Sequence, residues 1–503
     1  MPRSFQPPAT QRVYDVCVVG SQLAGAVAGA LLARRGWRVL QVDHGPAGAG
    51  YEDQGWLLPR APSLLAAPRL WPAAEAVLRE LGLLADVQRA LEPSTADLQL
   101  LLPRARLDLS RDAARRAAEL RREWPSDAAR LEAALEELSQ LFDAASPFLA
   151  GLPPLPPSGL RDRWALARHL RAAAARPGAR PPGEARPFSG LESHPLPRAL
   201  AVAARFLASL DGELPPLAAV RLQGALLRGT HRLAGGWEGL AERIRRRLVE
   251  ARGEILGAEG SPAVAESLHL DGRRAAAVRI AGSQDAYAAR VFVLAADGAA
   301  LRRLLPEAQR DGKAARAADR LRSRREVAAV NWVLQPGALP PGLGDTALAL
   351  PGDGGEDRAV LLQASPARRA PGKGEAPEGT SVLCAAALLD GGAGEAALRD
   401  WAGAVRAGLS DLVPFLDRHV ICESLPLLAA GGGRRGPAWH PLFQVEPPGP
   451  LGITGLPTRS PWKNVLLASR QVVPGLGAEG EFHAGLQAAA AADRLLGRKT
   501  RPG

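Results

Sequence analysis

Val13-Tyr-Asp-Val-Cys-Val-Val-Gly20 is followed by Ser21-Gln-Leu-Ala-Gly25-Ala-Val-Ala-Gly29, which runs on to Gly36, and then by Arg38-Val-Leu-Gln-Val-Asp43. The first segment is a β-branched run with no polar alternation, as a strand buried on both faces requires. The second is rich in Ala and Leu and stops at a glycine, the pattern of a helix with a glycine cap. The third is another short strand, and it closes on a carboxylate 23 residues after Gly20. Strand, helix, strand and acid in this order make the β-α-β unit of a dinucleotide-binding domain.

Each position has a physical task. Gly20 turns the chain out of the strand. Leu23 and Ala24 start a helix whose free N–H groups and dipole suit a diphosphate. Gly25 lets helix and strand approach closely. Asp43, with His44 beside it, can accept hydrogen bonds from ribose hydroxyls. One position departs: Gln22 stands where backbone would have to approach the phosphates. The competing reading is a Rossmann-like unit kept only for packing.

A second glycine-rich turn lies near the other end of the chain. Trp462-Lys-Asn464-Val-Leu-Leu-Ala-Ser469-Arg470 reads as a short strand. Pro474-Gly-Leu-Gly-Ala-Glu-Gly480 is a turn, and 481–496 is an Ala-rich helix.

Taken together, the two ends resemble the phytoene desaturase-like branch of the FAD-dependent amine oxidase superfamily. The matching residues are Gly20, Gly25, Gly29, Gly36 and Asp43, then Asn464-Val-Leu-Leu-Ala and Pro474-Gly-Leu-Gly-Ala-Glu-Gly480. Two internal stretches join them: Gly235-Gly-Trp-Glu-Gly-Leu-Ala-Glu-Arg-Ile and Val291-Phe-Val-Leu-Ala-Ala-Asp297. The resemblance implies an α/β fold, with a Rossmann-like FAD-binding domain and an interleaved α+β substrate domain. The first would be assembled from residues 1–70, 230–310 and 455–503, the second from 71–229 and 311–454. It implies FAD as cofactor, contacted by Gly20, Gln22, Leu23, Ala24, Gly25, Asp43, His44, Val264, Ala296, Ser469, Arg470, Gly475, Gly477 and Gly480. It further implies hydride transfer between flavin and an apolar substrate of polyene or isoprenoid kind. No catalytic residue is assigned.

Three departures from the family pattern fall on the diphosphate path. Gln22 replaces a glycine, the loop 44–50 has glycines but no arginine, and Ser469-Arg470 replaces a small polar pair. Either Arg470 supplies the missing guanidinium, which binds phosphate bidentately, or the chain is a flavin-free relative that serves as a binding or scaffold protein. Glu479 and Glu481 read as ordinary acids at a helix N-terminus. Glu479 and His483 are spaced to form a polar pair on that helix. An NAD-type dehydrogenase is a weaker reading, which Asp43 permits.

The remaining sequence narrows the choice. A length of 503 residues allows two to four domains. Helical periodicity runs through 72–150, with Ser126-Asp127 as a start signal for a helix from Ala128, and 326–334 and 380–388 read as strands. The net charge is +11, and all but four of the 63 cations are arginine. Dispersed arginines without interleaved aromatics argue against nucleic acid and leave room for peripheral contact with a membrane surface. Cys17, Cys384 and Cys422 form neither a metal motif nor a disulfide framework, so a reducing cytoplasm is the expected setting. The eight histidines show no metal spacing. No secretory leader or membrane-spanning run is visible. Trp164, Trp237, Trp332, Trp439 and Trp462 are candidates for an apolar tunnel, with core packing as the plainer alternative.

Overall fold

The computed structural model describes residues 13–20, 22–42, 50–179, 186–257, 263–283, 285–307, 312, 321–351, 358–410, 412–414, 416–428, 440–445 and 449–497. Its first sheet runs, in spatial order, Ala265–Asp271, Arg274–Ile280, Ala286–Leu294, Val13–Val19, Val39–Val42, Glu254–Leu256. Val465–Leu467 also pairs with the end of Ala286–Leu294. The four pairings among Val13–Val19, Val39–Val42, Glu254–Leu256, Ala286–Leu294 and Val465–Leu467 are all parallel. Val16, Cys17, Val18 and Val19 are fully buried, as a Val-rich strand covered on both faces requires. This sheet draws its strands from both ends and the middle of the chain.

The first helix, Leu23–Arg34, crosses between the first two parallel strands. Two close approaches fix its place. A Cβ on Gly29 would lie 2.8 Å from Leu248 Cδ1, on the helix Gly236–Glu250. A Cβ on Gly485 would lie 2.6 Å from Val27 Cγ1 and 2.7 Å from Ala24 O. The C-terminal helix Gly477–Leu496 therefore lies nearly backbone to backbone against the first helix.

A second sheet runs Val420–Ser424, Leu321–Leu334, Ser381–Asp390, Val360–Pro366, Thr346–Ala349, Gln99–Leu102, Ala105–Asp108, with His440–Val445 also on Leu321–Leu334. Side chains alternate between its faces. Ala328, Val330 and Trp332 pack toward the helix Glu395–Leu409. Val327, Ala329 and Ala386 pack toward the helices Ala128–Leu149, Pro195–Leu207 and Pro216–Leu227. The strands expected at 326–334 and 380–388 are present and pair antiparallel.

Two features differ from the sequence reading. The stretch 72–150 is not wholly helical, because Gln99–Leu102 and Ala105–Asp108 form a hairpin that joins the second sheet through Thr346–Ala349. A short run such as Leu100-Leu-Leu102 carries no period of its own, and partners some 250 residues away decide its state. The first hydrophobic core also extends past residue 70, taking in Trp71, Val77, Leu78 and Val87. The helix Ala128–Leu149 starts where Ser126-Asp127 signals it, although Asp127 makes no side-chain capping bond.

Candidate functional site

Three parallel strands end side by side. Val19 pairs with Leu294, and Leu294 with Leu467. Gly20, Ala295-Ala296 and Ala468-Ser469 therefore leave the sheet together, at its carboxyl edge, where open α/β sheets place ligands. Gly20 has φ +111°, and a Cβ there would fall 2.4 Å from Ala295 O. A Cβ on Gly25 would fall 2.3 Å from the Ala295 side chain. These two fingerprint glycines are thus explained by the close passage of Ala295. Gln41 Nε2 donates to Gly20 O at 2.9 Å and steadies the turn. Asp297 caps the helix Gly298–Leu304, its Oδ1 accepting the Ala300 N–H at 2.7 Å. Gln471 Oε1 accepts the Gly298 N–H at 2.6 Å.

The N-terminus of the first helix, whose first N–H groups have no partner within the helix, lies at this edge. Gln22 is its N-cap, and the buried Gln22 Oε1 has no hydrogen-bond partner among the described residues. Glu481 Oε2 accepts the Ala24 N–H at 3.4 Å. Arg470 Nη2 lies 3.4 Å from Glu481 Oε1. Glu238 belongs to the same charged group. Desolvation pushes its carboxyl up to about 7, against the pull of Arg470 and Arg60 and helped by the charge of Glu481. His440 is half-buried, its Nε2–H donating to Ala208 O at 2.8 Å, and is held neutral. Burial, with Arg470 nearby, pushes it down to about 3. Arg470 thus stands beside the start of the first helix, linked to it by Glu481.

One element of the charge pattern was not visible in the sequence. Glu479 does not pair with His483. It forms a buried ion pair with Arg221, with Nη2 to Oε1 at 2.8 Å and Nε to Oε2 at 3.2 Å. Desolvation raises the Glu479 carboxyl and Arg221 opposes it. His483 is buried with no partner at Nε2, and burial beside Arg221 pushes it down to about 3. It is neutral at physiological pH.

The C-terminal glycines answer to packing. A Cβ on Gly475 would lie 2.8 Å from Ile453 Cα, on Gly477 1.9 Å from Leu207 O, and on Gly480 2.0 Å from Val473 O. Val264 stands near the end of Glu254–Leu256, because a Cβ on Gly257 would lie 2.2 Å from Ala263 N. That strand pairs with Val42, the residue before Asp43. Asp43 and His44 lie outside the described residues, as does Trp439. Gly20, Gln22, Leu23, Ala24, Gly25, Ala296, Ser469 and Arg470 are brought to one edge.

Other sequence candidates scatter. Trp332 is buried in the second sheet and donates to Glu423 Oε2 at 2.8 Å. Trp237 stacks on Trp71 with centroids 5.7 Å apart. Trp462 is buried in the first core, and Trp164 is exposed. Cys17, Cys384 and Cys422 are buried and unpaired to one another. Burial pushes Cys17 up to about 12 and Cys422 up to about 11, so neither supplies a thiolate near neutral pH. Among the described residues no cluster of His, Cys, Asp and Glu could hold a metal ion, and no helix is long and apolar enough to cross a membrane.

No protein-family model matches the chain, and no curated protein matches it in sequence. Solved structures do match in fold. An oxidoreductase from Methanosarcina mazei aligns at TM-score 0.55 and 12% identity, covering 94% of this chain and 99% of its own. Putrescine oxidase bound to putrescine aligns at 0.53 and 14%, covering 95% and 98%. Cyclohexylamine oxidase from Brevibacterium oxydans aligns at 0.50 and 17%, covering 96% and 100%. The class that the fold defines is therefore a Rossmann-type α/β fold shared with these oxidoreductases, and the likeness spans nearly the whole chain. Two of the three are oxidases named for amines, putrescine oxidase and cyclohexylamine oxidase, and none is named as a phytoene desaturase.

Proposed function

We propose that the chain is an FAD-dependent oxidoreductase of the phytoene desaturase-like type, acting on an apolar substrate. The observation that carries this reading is an anion seat at the carboxyl edge of the first sheet. There the Ala24 N–H, at the start of the first helix and just past the glycine turn at Gly20, and the Arg470 guanidinium meet at one negative group, which in this structure is the Glu481 carboxylate. A carboxylate oxygen there stands in for a phosphate oxygen, so the donor set fits a diphosphate in charge and in hydrogen-bond sense. Residues 20–25 and Arg470 would hold the diphosphate. Asp43 would take the ribose, and Val264 and Ala296 would flank the cofactor. When bound, the flavin supplies hydride transfer. The chain's own part is to orient the substrate and exclude water.

The apolar character of the substrate rests on the family resemblance and on one surface. The helix Leu160–Ala174 exposes Leu160 at 82% and Trp164 at 75%, four residues apart on one face. Arg161, Arg163, Arg168 and Arg171 are also exposed on this helix. Aromatic and aliphatic tips among arginines suit the surface of an anionic membrane, where an apolar substrate would be drawn from lipid.

A flavin-free scaffold is the second reading. Glu481 favours it, because a carboxylate already satisfies the helix N-terminus. The test is the visible absorption spectrum of the purified protein after incubation with excess FAD and removal of free cofactor. Oxidised-flavin bands that release FAD on denaturation support the oxidoreductase reading. A colourless protein rejects it in favour of the scaffold.

A further inference from the structure

The seat assigned to the diphosphate already holds an anion of the chain's own. Two acids start the C-terminal helix, and they are held very differently. Glu479 is locked by two hydrogen bonds from Arg221, at 2.8 and 3.2 Å, and both side chains are 1% exposed. Glu481 is held by one long bond to the Ala24 N–H at 3.4 Å and one ion pair to Arg470 at 3.4 Å, both at the outer limit of good geometry. The first is a structural pair and the second is a loose one.

The backbone cannot relieve this contact. The first and C-terminal helices touch through Gly485, Val27 and Ala24 O at distances that leave no room for a Cβ. Glu481 can leave the Ala24 N–H only by turning about its own side-chain bonds. If it stayed, an incoming diphosphate would meet a carboxylate within hydrogen-bond range of the same N–H, and like charges at that separation repel strongly in a site of low dielectric. Arg470 pairs with Glu481, Glu238 feels the charges of Arg470, Arg60 and Glu481, and neutral His440 feels that of Arg470.

We propose that Glu481 is an internal counter-anion that occupies the diphosphate seat of the cofactor-free protein and is displaced when FAD binds, so that this one side chain sets cofactor affinity. The inference rests on the FAD reading above. It gives Glu481 a competitive role toward the cofactor, with Arg470 as the cation exchanged between them: its guanidinium passes from the carboxylate to a phosphate, and the carboxylate turns away from the Ala24 N–H.

The experiment is a titration of cofactor-free protein with FAD, read by flavin fluorescence and by calorimetry, for wild type and Glu481→Gln. The amide keeps the size of the side chain and removes its charge. Binding tightened about tenfold or more in Glu481→Gln is the expected result, since removing one like charge at this range is worth at least that factor. Equal or weaker binding in the variant overturns the inference and leaves the FAD reading standing. Binding by neither protein overturns both. Should the variant fail to fold, a crystal structure of the wild-type protein with FAD decides: Glu481 away from Ala24 supports displacement, and a carboxylate still on the Ala24 N–H overturns it.

Discussion

Arg221 and Glu479 form an ion pair from which solvent is excluded on both sides, 258 residues apart in sequence. Arg221 also donates to Phe142 O at 3.2 Å, Ser146 Oγ at 3.0 Å and Leu70 O at 2.8 Å, and its guanidinium lies 4.1 Å from the centre of the Phe142 ring. One side chain thus ties the helix Pro216–Leu227 to the helix Ala128–Leu149, to the segment entering the helical insert, and to the start of the C-terminal helix.

Breaking this pair from one side should be costly. Arg221→Met leaves Glu479 buried without a counter-charge, which typically costs about 3–5 kcal/mol. Replacing both residues, Arg221→Met with Glu479→Leu, removes the stranded charge and should recover much of the loss. Urea unfolding of the two single variants and the double variant gives the coupling. Additive losses would show that the pair makes no net contribution.

Glu238 should make both folding and cofactor binding depend on pH near neutrality. Its folded carboxyl is pushed up to about 7 from an ordinary 4.5. The unfolded chain therefore loses this proton first as pH rises. The contribution of Glu238 to stability is present in full below about 4.5 and is lost as pH rises through about 7. Glu238→Gln should abolish that part of the decline. An anionic ligand favours the neutral form of Glu238, so FAD should bind several-fold more tightly at pH 6 than at pH 8. Titrations at the two pH values check this, and the variant should show a flat profile. His440 and His483 are pushed down to about 3 and stay neutral throughout that range.

What the sequence revealed and what it hid follow from range. The β-α-β unit is legible because a strand buried on both faces must be β-branched without alternation, and because all its parts lie within some thirty residues. The second sheet announced two of its strands through the same kind of signal. The Gln99–Leu102 hairpin did not, since its register is decided by Thr346–Ala349. The charges were harder still. Glu481 looked like the acid that complements its own helix dipole. It does serve a helix N-terminus, but that of the first helix, 457 residues away. Arg221 carried no signal at all among 59 arginines spread through the chain. The glycines at 475, 477 and 480 were legible as a turn, and their reason, three close backbone passages, was not.

The exposed face of the helix Leu160–Ala174 can be tested apart from the cofactor. Sedimentation with phosphatidylcholine vesicles containing phosphatidylglycerol should carry the protein down, and vesicles of phosphatidylcholine alone should carry much less. Trp164→Ser with Leu160→Ser removes two large apolar side chains, each worth about 1.5–3 kcal/mol when buried, and should lower vesicle binding at least tenfold without changing the melting temperature. Binding that survives the double substitution, or that ignores lipid charge, would remove this face from consideration. Loss of binding in high salt is expected, because arginines on an exposed helix are screened.

The last prediction separates glycines needed by the fold from glycines needed by a ligand. Gly480 lies in the first turn of the C-terminal helix, and a Cβ there would sit 2.0 Å from Val473 O and 3.1 Å from its carbon. Backbone cannot yield as a flexible side chain does, so Gly480→Ala should cost about 1–3 kcal/mol through overpacking. Because the obstacle is protein, that cost should be the same in denaturant unfolding with FAD present or absent. If Gly480 instead made room for the cofactor, the variant would unfold like wild type without FAD and would lose only the stabilisation that FAD confers. A difference confined to the FAD-containing samples would return Gly480 to the cofactor site. Equal losses in both would leave cofactor recognition to the glycine turn at Gly20, the first helix and the exchange between Arg470 and Glu481.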